Sequence, residues 1–162
     1  EARGNDIDWH VWDDEMENHM LRFFDTVDTI ILGRKTYELM ISYWPSAPGK
    51  LARFMNETPK IVFSKTLQEL EWNSTLHKTV DAEEINQLKK QPGKDIVIFG
   101  GANLAAAFIE NNLIDDYQLI INPVVLGNGT PLFKNLPQQR SFKLTNTKVF
   151  NCGNVLLNYQ PA

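Results

Sequence analysis

The chain has 162 residues, 43% of them hydrophobic and 22% charged, with a net charge of −4. That length allows one domain with a substantial core, and the composition is ordinary for a globular protein. The acidic balance gives no global electrostatic case for nucleic acid or an anionic membrane, and no apolar run reaches the roughly 18 residues a membrane span needs. Cys152 is the single cysteine and forms no internal disulfide, which fits a reducing cytoplasm. His10, His19 and His77 are too widely spread for a zinc pattern, so no metal is expected, and no signal peptide is visible.

Met16, Met20, Phe23 and Phe24 recur at helical spacing and predict a helix over "WDDEMENHMLRFFDTV". Asp13, Asp14 and Glu15 fall in its first turn, where the macrodipole favours negative charge; a solvated acidic face accounts for them. "TIILGR" is short, apolar and β-branched, hence a buried strand. "KTYELMISYW" reads as a helix stopped by Pro45, and "LARFMNE" as a short helix stopped before Pro59. "KIVFS" is a second buried strand, followed by an irregular stretch with a short strand near "TLHKTV". "DAEEINQLKKQ" has Asp81 as N-cap and Glu84 three residues on, a capping-box-like start. "DIVIFGG" predicts a third buried strand, "ANLAAAFIENN" a helix, and "DYQLIINPVVLG" a strand. "SFKLTNTKVF" and "NVLLNYQ" flank "NCG" as a closing hairpin. Continuous apolar strands imply a sheet covered on both faces. The expected fold is therefore a three-layer α/β domain over residues 1–162, with a mixed, mostly parallel sheet and an antiparallel ending.

Three strand ends carry unusual chemistry. At "ILGRKTYE" a strand stops at Gly33 and a helix begins with Arg34, Lys35 and Thr36, so free N–H groups and cations face one point; a plain turn with solvated basic residues is the competing reading. At "KIVFSKTL" Ser64, Lys65 and Thr66 offer two hydroxyls and an ammonium to a phosphate monoester, or form an ordinary polar turn. At "IFGGANLAAAF" Gly100 and Gly101 permit close backbone approach or unusual dihedrals before another helix start. The GxGxxG dinucleotide pattern is absent. Parallel strands would put all three turns on the sheet edge where α/β proteins bind ligands. Arg34, Lys35 and Lys65 exceed what a bare pyrophosphate needs and suit an added 2′-phosphate, hence NADPH over NADH.

These pieces, with "YWP", "MNETPKIVFSKTL" and above all "GGANLAAAFIENNLIDDYQLIINPVVLGNGTPLF", resemble the dihydrofolate-reductase-like fold. The nearer likeness is to the reductase domain of the bacterial bifunctional deaminase–reductase of riboflavin synthesis, in the expected order over nearly the whole chain. The resemblance implies an NADPH-dependent reductase acting on a small heterocyclic (pterin- or pyrimidine-like) or carbonyl substrate. It maps cofactor contacts onto Gly33, Arg34, Lys35, Thr36, Ser64, Lys65, Thr66, Gly100, Gly101, Ala102, Asn103 and Leu104, with a Gly100–Gly101 peptide that is often cis in this fold. Trp9, Met40 and Trp44 are candidate substrate-pocket residues, with ordinary aromatic packing as the alternative for the tryptophans. Asp8 and Glu17 are the candidate protein-borne proton donors, with an ordered water as their rival. Homodimerisation is expected through the partly apolar "VVLGNGTPLF" segment. A non-catalytic nucleotide-binding or interaction domain is the alternative function.

The start departs from the resembled pattern. That fold runs an N-terminal strand through the middle of its sheet, and only "ARGNDIDW" corresponds to it here. Unpaired neighbours would be costly, so the N-terminal strand is expected to be missing from this sequence.

Overall fold

The structure is a computed structural model, and it describes residues 9–134 and 136–162. The helix α1 spans Asp14–Phe24. Its N-cap Asp13 accepts from the Met16 N–H, and Met16 and Phe24 are the buried residues of its apolar stripe. Glu15 accepts from the Asn151 N–H at 3.0 Å and pairs with Lys148, also at 3.0 Å. The expected solvated acidic face is thus corrected at two positions: Asp13 caps the helix, and Glu15 ties it to the C-terminal hairpin.

Strand β1 (Val27–Gly33) is the centre of a four-stranded parallel sheet in the order β3-β2-β1-β4. Its neighbours are β2 (Lys60–Phe63) and β4 (Asp95–Ile98), and β3 (Ser74–His77) lies outside β2. Ile30, Ile31 and Leu32 are at most 1% exposed, as a strand covered on both faces requires. Helices α2 (Arg34–Ile41) and α3 (Lys50–Glu57) connect β1 to β2, with a 3-10 turn at Trp44–Ser46 between them; α4 (Ala82–Lys89) connects β3 to β4, and α5 (Ala102–Glu110) follows β4. One core cluster joins Ile30, Leu32, Tyr37, Met55 and Val62; the opposite face joins Ile31, Phe63, Ile85, Leu104 and Phe108. At α4, Asp81 accepts from the N–H groups of Glu83 and Glu84, but Glu84 does not reach back to complete a capping box. Its carboxylate faces His77 Nδ1 at 3.3 Å instead.

The remaining strands form a second, antiparallel sheet in the order β5-β7-β6: β5 (Tyr117–Ile121), β6 (Phe142–Val149) and β7 (Val155–Pro161). The last two are the expected hairpin, and the α/β architecture with its parallel body and antiparallel ending agrees with expectation. One strand differs. The "DIVIFGG" stretch was expected to be buried, yet Ile96, Val97 and Ile98 are only half-buried. The physical reason lies in the pairing: β4 has β1 on one side and no strand on the other among the described residues.

Candidate functional site

Because β1, β2 and β4 run parallel, the turns that follow them share one edge of the sheet. The turn after β1 is flanked by those after β2 and β4.

The ends of α2 and α5 are built differently from those of α1 and α4. Asp13 and Asp81 cap α1 and α4, which also carry acidic first turns. Helices α2 and α5 follow Gly33 and Gly101, with no side-chain cap and no acidic residue in the first turn. Their first N–H groups and positive dipole ends therefore stay available to an anion. Helix α3 also starts uncapped, at Gly49, but a Cβ at Gly49 would meet nothing within 4 Å. The α2 and α5 starts instead converge. A Cβ at Gly101 would lie 3.7 Å from Leu104 Cβ, 3.8 Å from Thr36 Oγ1 and 4.0 Å from Gly33 Cα. One at Gly100 would lie 3.4 Å from Thr36 Oγ1. Gly33, Thr36, Gly100, Gly101 and Leu104 are thus brought together, with Ala102 and Asn103 in the first turn of α5.

The expected cis peptide is not there. No peptide bond among the described residues is cis, and the turn is made by φ values of 70° at Gly100 and 91° at Gly101. Two residues without Cβ reach the left-handed region freely, so the chain reverses into α5 without isomerisation.

The basic residues at this edge are not equivalent. Arg34 is held by Glu38, with Nη1 at 2.9 and 3.0 Å from the two carboxylate oxygens. Lys35 is exposed at the start of α2, and neither it nor Lys65 makes an ion pair or hydrogen bond among the described residues. Ser64 is buried and its Oγ accepts from the N–H groups of Thr66 and Leu67. The Ser64 hydroxyl therefore shapes the turn that presents Lys65 and Thr66, a role the residue types alone did not reveal. His77, at the end of β3, accepts the Ser64 N–H through its carbonyl and braces the turn from its other side.

Met40 and Trp44 pack against the core cluster around Tyr37 and Met55. The Trp44 carbonyl accepts from Asn56, whose amide oxygen accepts from the Trp72 indole at 2.6 Å. Trp9 lies against His10, ring centroids 4.1 Å apart, a few residues ahead of α1 in the chain. Burial holds the His10 imidazole below its usual range. Glu17 is half-buried in α1 and makes no side-chain hydrogen bond or ion pair among the described residues. Asp8 lies outside the described residues. Sequence reasoning passed over Phe99, directly before the glycine pair. Its ring meets Phe24 edge-on at 5.7 Å, and Phe24 stacks on Phe54 at 4.1 Å, so an aromatic column links β4 to α1 and α3.

The RibD C-terminal domain family matches residues 1–157. Among individual relatives, the uncharacterized protein YyaP of Bacillus subtilis (strain 168) is 37% identical over 164 residues, covering 98% of this chain and 86% of that protein. A solved structure from Shewanella sp. PV-4, described as a riboflavin biosynthesis protein, superposes with a TM-score of 0.81 at 24% identity, covering 99% of this chain and 90% of the other. A dihydrofolate reductase from Enterococcus faecalis, complexed with NADP(H) and RAB-propyl, superposes with a TM-score of 0.58 at 17% identity, covering 93% and 84%. These two superpositions establish a shared dihydrofolate-reductase-like fold.

Proposed function

We propose, for a chain that belongs to the RibD C-terminal domain family, that it is an NADPH-dependent reductase delivering a hydride to a small heterocyclic or carbonyl substrate. The observation that carries this reading is the meeting of two uncapped, acid-free helix starts at Gly33 and Gly101. Such a pair offers converging N–H donors to two linked phosphates. The residues present fit the cofactor. The α2 start, with Thr36, and the α5 start, with Ala102 and Asn103, would hold the pyrophosphate. Lys65 and Thr66, presented by the Ser64 turn, would take the 2′-phosphate. Arg34 would reach it only by sharing its guanidinium with Glu38, so Lys65 is the stronger determinant of the NADPH preference.

The nicotinamide supplies the hydride; the protein's share is orientation and exclusion of water. Met40 and Trp44, held by the core, would form one wall of the substrate pocket. Trp9 would contribute on the side of α1. Glu17 or Asp8 would be the protein-borne proton donor. No helix among the described residues is long and apolar enough to cross a membrane. The reading places the reductase in the cytoplasm, working on a diffusible substrate. The exposed side chains Val124, Val125, Leu126, Leu132 and Phe133 would meet a second copy in a homodimer.

The test is NADPH titration followed by turnover against carbonyl, pterin and pyrimidine panels. The Arg34→Ala/Lys65→Ala double variant should raise the Kd for NADPH relative to that for NADH by about 10-fold or more, the loss of one charge-assisted contact. An unchanged ratio would refute the 2′-phosphate assignment. Binding without turnover on any panel would assign the chain to the nucleotide-binding, non-catalytic alternative.

A further inference from the structure

The connection between β5 and β6 carries a chemistry that hydride transfer does not use. Within "INPVVLGNGTPLF" stands Asn128 followed by Gly129, the one Asn-Gly pair of the chain. An asparagine side chain and the main-chain nitrogen of the next residue can close into a succinimide ring. Two barriers ordinarily prevent this. A Cβ on the next residue crowds the approach, and a hydrogen-bonded backbone holds the nitrogen away from the side-chain carbon. Glycine removes the first barrier, because it has no Cβ and moves freely through φ/ψ space. The fold decides the second.

At Asn128 that second barrier is missing. Residues 122–141 hold no helix or strand among the described residues. The chain bends at Gly127 and Asn128, and Gly127, Asn128 and Gly129 are all exposed. Gly127 lies at φ 75°, and a Cβ there would meet nothing within 4 Å. Among the described residues neither the Asn128 amide nor the Gly129 N–H makes a hydrogen bond. Other asparagines are held. Asn122 precedes Pro123, which has no N–H to give up. Asn73 precedes Ser74, the first residue of β3, and donates its amide to the Glu57 carbonyl at 3.1 Å. Asn111 donates to Ala107 at 2.8 Å, and the N–H that follows it is bonded to Ile109. Asn56 lies within α3, with its amide nitrogen and oxygen both bonded.

We propose that Asn128 and Gly129 form a site of spontaneous covalent modification, at which the chain converts its own asparagine to isoaspartate and aspartate. The Gly129 main-chain nitrogen gives its proton to water or hydroxide and attacks Asn128 Cγ. A C–N bond forms there, and the side-chain amide nitrogen takes up a proton and leaves as ammonia. Water then opens the succinimide. Opening at the Asn128 main-chain carbonyl gives isoaspartate, which routes the backbone through an extra methylene and frees the α-carboxylate. Opening at Cγ gives aspartate. The balance is a water consumed and an ammonia released, with nothing oxidised or reduced. Either product adds a negative charge to a segment whose neighbouring side chains are apolar and exposed: Val125 at 95%, Leu126 at 41% and Leu132 at 50%. The conversion thus turns an apolar surface loop into a charged one with time. This inference is independent of the cofactor assignment and of the homodimer reading.

The experiment incubates the full chain at neutral and at mildly alkaline pH, dilute enough that no second copy shields the loop. Peptide mass spectrometry follows each asparagine, and isoaspartate is read by isoaspartyl-specific methyl transfer. Asn128 should convert faster than Asn73 or Asn111 by about tenfold or more, a barrier lower by about 1.4 kcal/mol. The rate should rise with pH, because the attacking nitrogen must lose its proton. Unfolding in urea should leave the Asn128 rate nearly unchanged and speed Asn73, whose amide is then released from Glu57. Gly129→Ala should slow the conversion by about tenfold, and Asn128→Gln should abolish the methyl-transfer signal. Two results would overturn the inference. One is Asn128 kept intact in the folded chain over an incubation that converts it in urea, which would mean that the loop is closed to the reaction. The other is a methyl-transfer signal that survives in Asn128→Gln, which would place the labile residue elsewhere. Should either variant fail to fold, the comparison of folded and urea-unfolded wild type decides alone.

Discussion

Gly101→Ala tests the glycine turn most sharply, because its effects on stability and on binding can be separated. The residue sits at φ 91°, ψ 88°, where an L side chain is disfavoured. The new Cβ would make only ordinary contacts, the nearest at 3.7 Å, so no steric clash is added. The stability cost is then conformational, roughly 1–2 kcal/mol. For a chain of this length, that lowers the melting temperature by about 2–8 °C. Gly127→Ala is the matched control: φ is 75°, and its Cβ would meet nothing within 4 Å. Both variants should lose similar stability in thermal or urea melts. Only Gly101→Ala places a methyl group between the starts of α2 and α5, and it should weaken NADPH binding by about 10-fold or more, equivalent to 1.4 kcal/mol. Fluorescence titration of NADPH reads this directly. If both variants weaken NADPH equally, or neither does, the glycine turn is not the place where the cofactor's phosphates sit.

Three further outcomes follow from the packing. Ser64→Ala should cost about 1–2 kcal/mol in urea unfolding, because the N–H groups of Thr66 and Leu67 lose their shared acceptor; a loss below the error of the fit would contradict the role given to that hydroxyl. Lys60 is 1% exposed, its ammonium donates to the Thr58 carbonyl and sits 4.2 Å from the Trp72 ring centroid, and burial lowers its pKa to about 8. Its unfolded value is higher, 10.5, so between these pH values the unfolded chain binds more protons and stability rises with pH. The wild type should gain on the order of 3 kcal/mol across that window relative to Lys60→Met, and parallel pH profiles would refute the assignment. Glu15 is shifted the other way: the Asn151 N–H, then Lys148, hold its carboxyl below the usual 4.5. Its contribution is present above that value and lost as pH falls through the lower folded pKa, so the gap in melting temperature between wild type and Glu15→Gln should close below about pH 4.5.

Local signals carried the elements with strong patterns. The buried run of β1 and the Asp81 cap of α4 were legible because a continuous apolar strand or a capping carboxylate acts within a few residues. The hairpin around "NCG" was legible for the same reason. What long-range pairing decides was not. The composition of "DIVI" is that of a fully covered strand, and its half-exposure reflects pairing on one side only among the described residues, with β1 more than 60 residues away in sequence. The acidic start of α1 looked solvated because Asn151 and Lys148, which bind Glu15, lie more than 130 residues on. At the site, residue types marked the three turns, and parallel strands put those turns on one edge. Roles within a turn were less visible. Ser64 and Thr66 look alike in sequence, but only the folded turn has Ser64 Oγ accepting two backbone N–H groups and Arg34 bound to Glu38.

The central claim is that the starts of α2 and α5 together hold the phosphates of NADPH. Backbone amide chemical shifts recorded during an NADPH titration test it most directly. The account predicts saturable shifts at Arg34, Lys35, Gly101, Ala102 and Asn103, with the capped starts of α1 and α4 unmoved. Shifts absent from those five residues at saturating NADPH, or equal at Glu83 and Glu84, would contradict it.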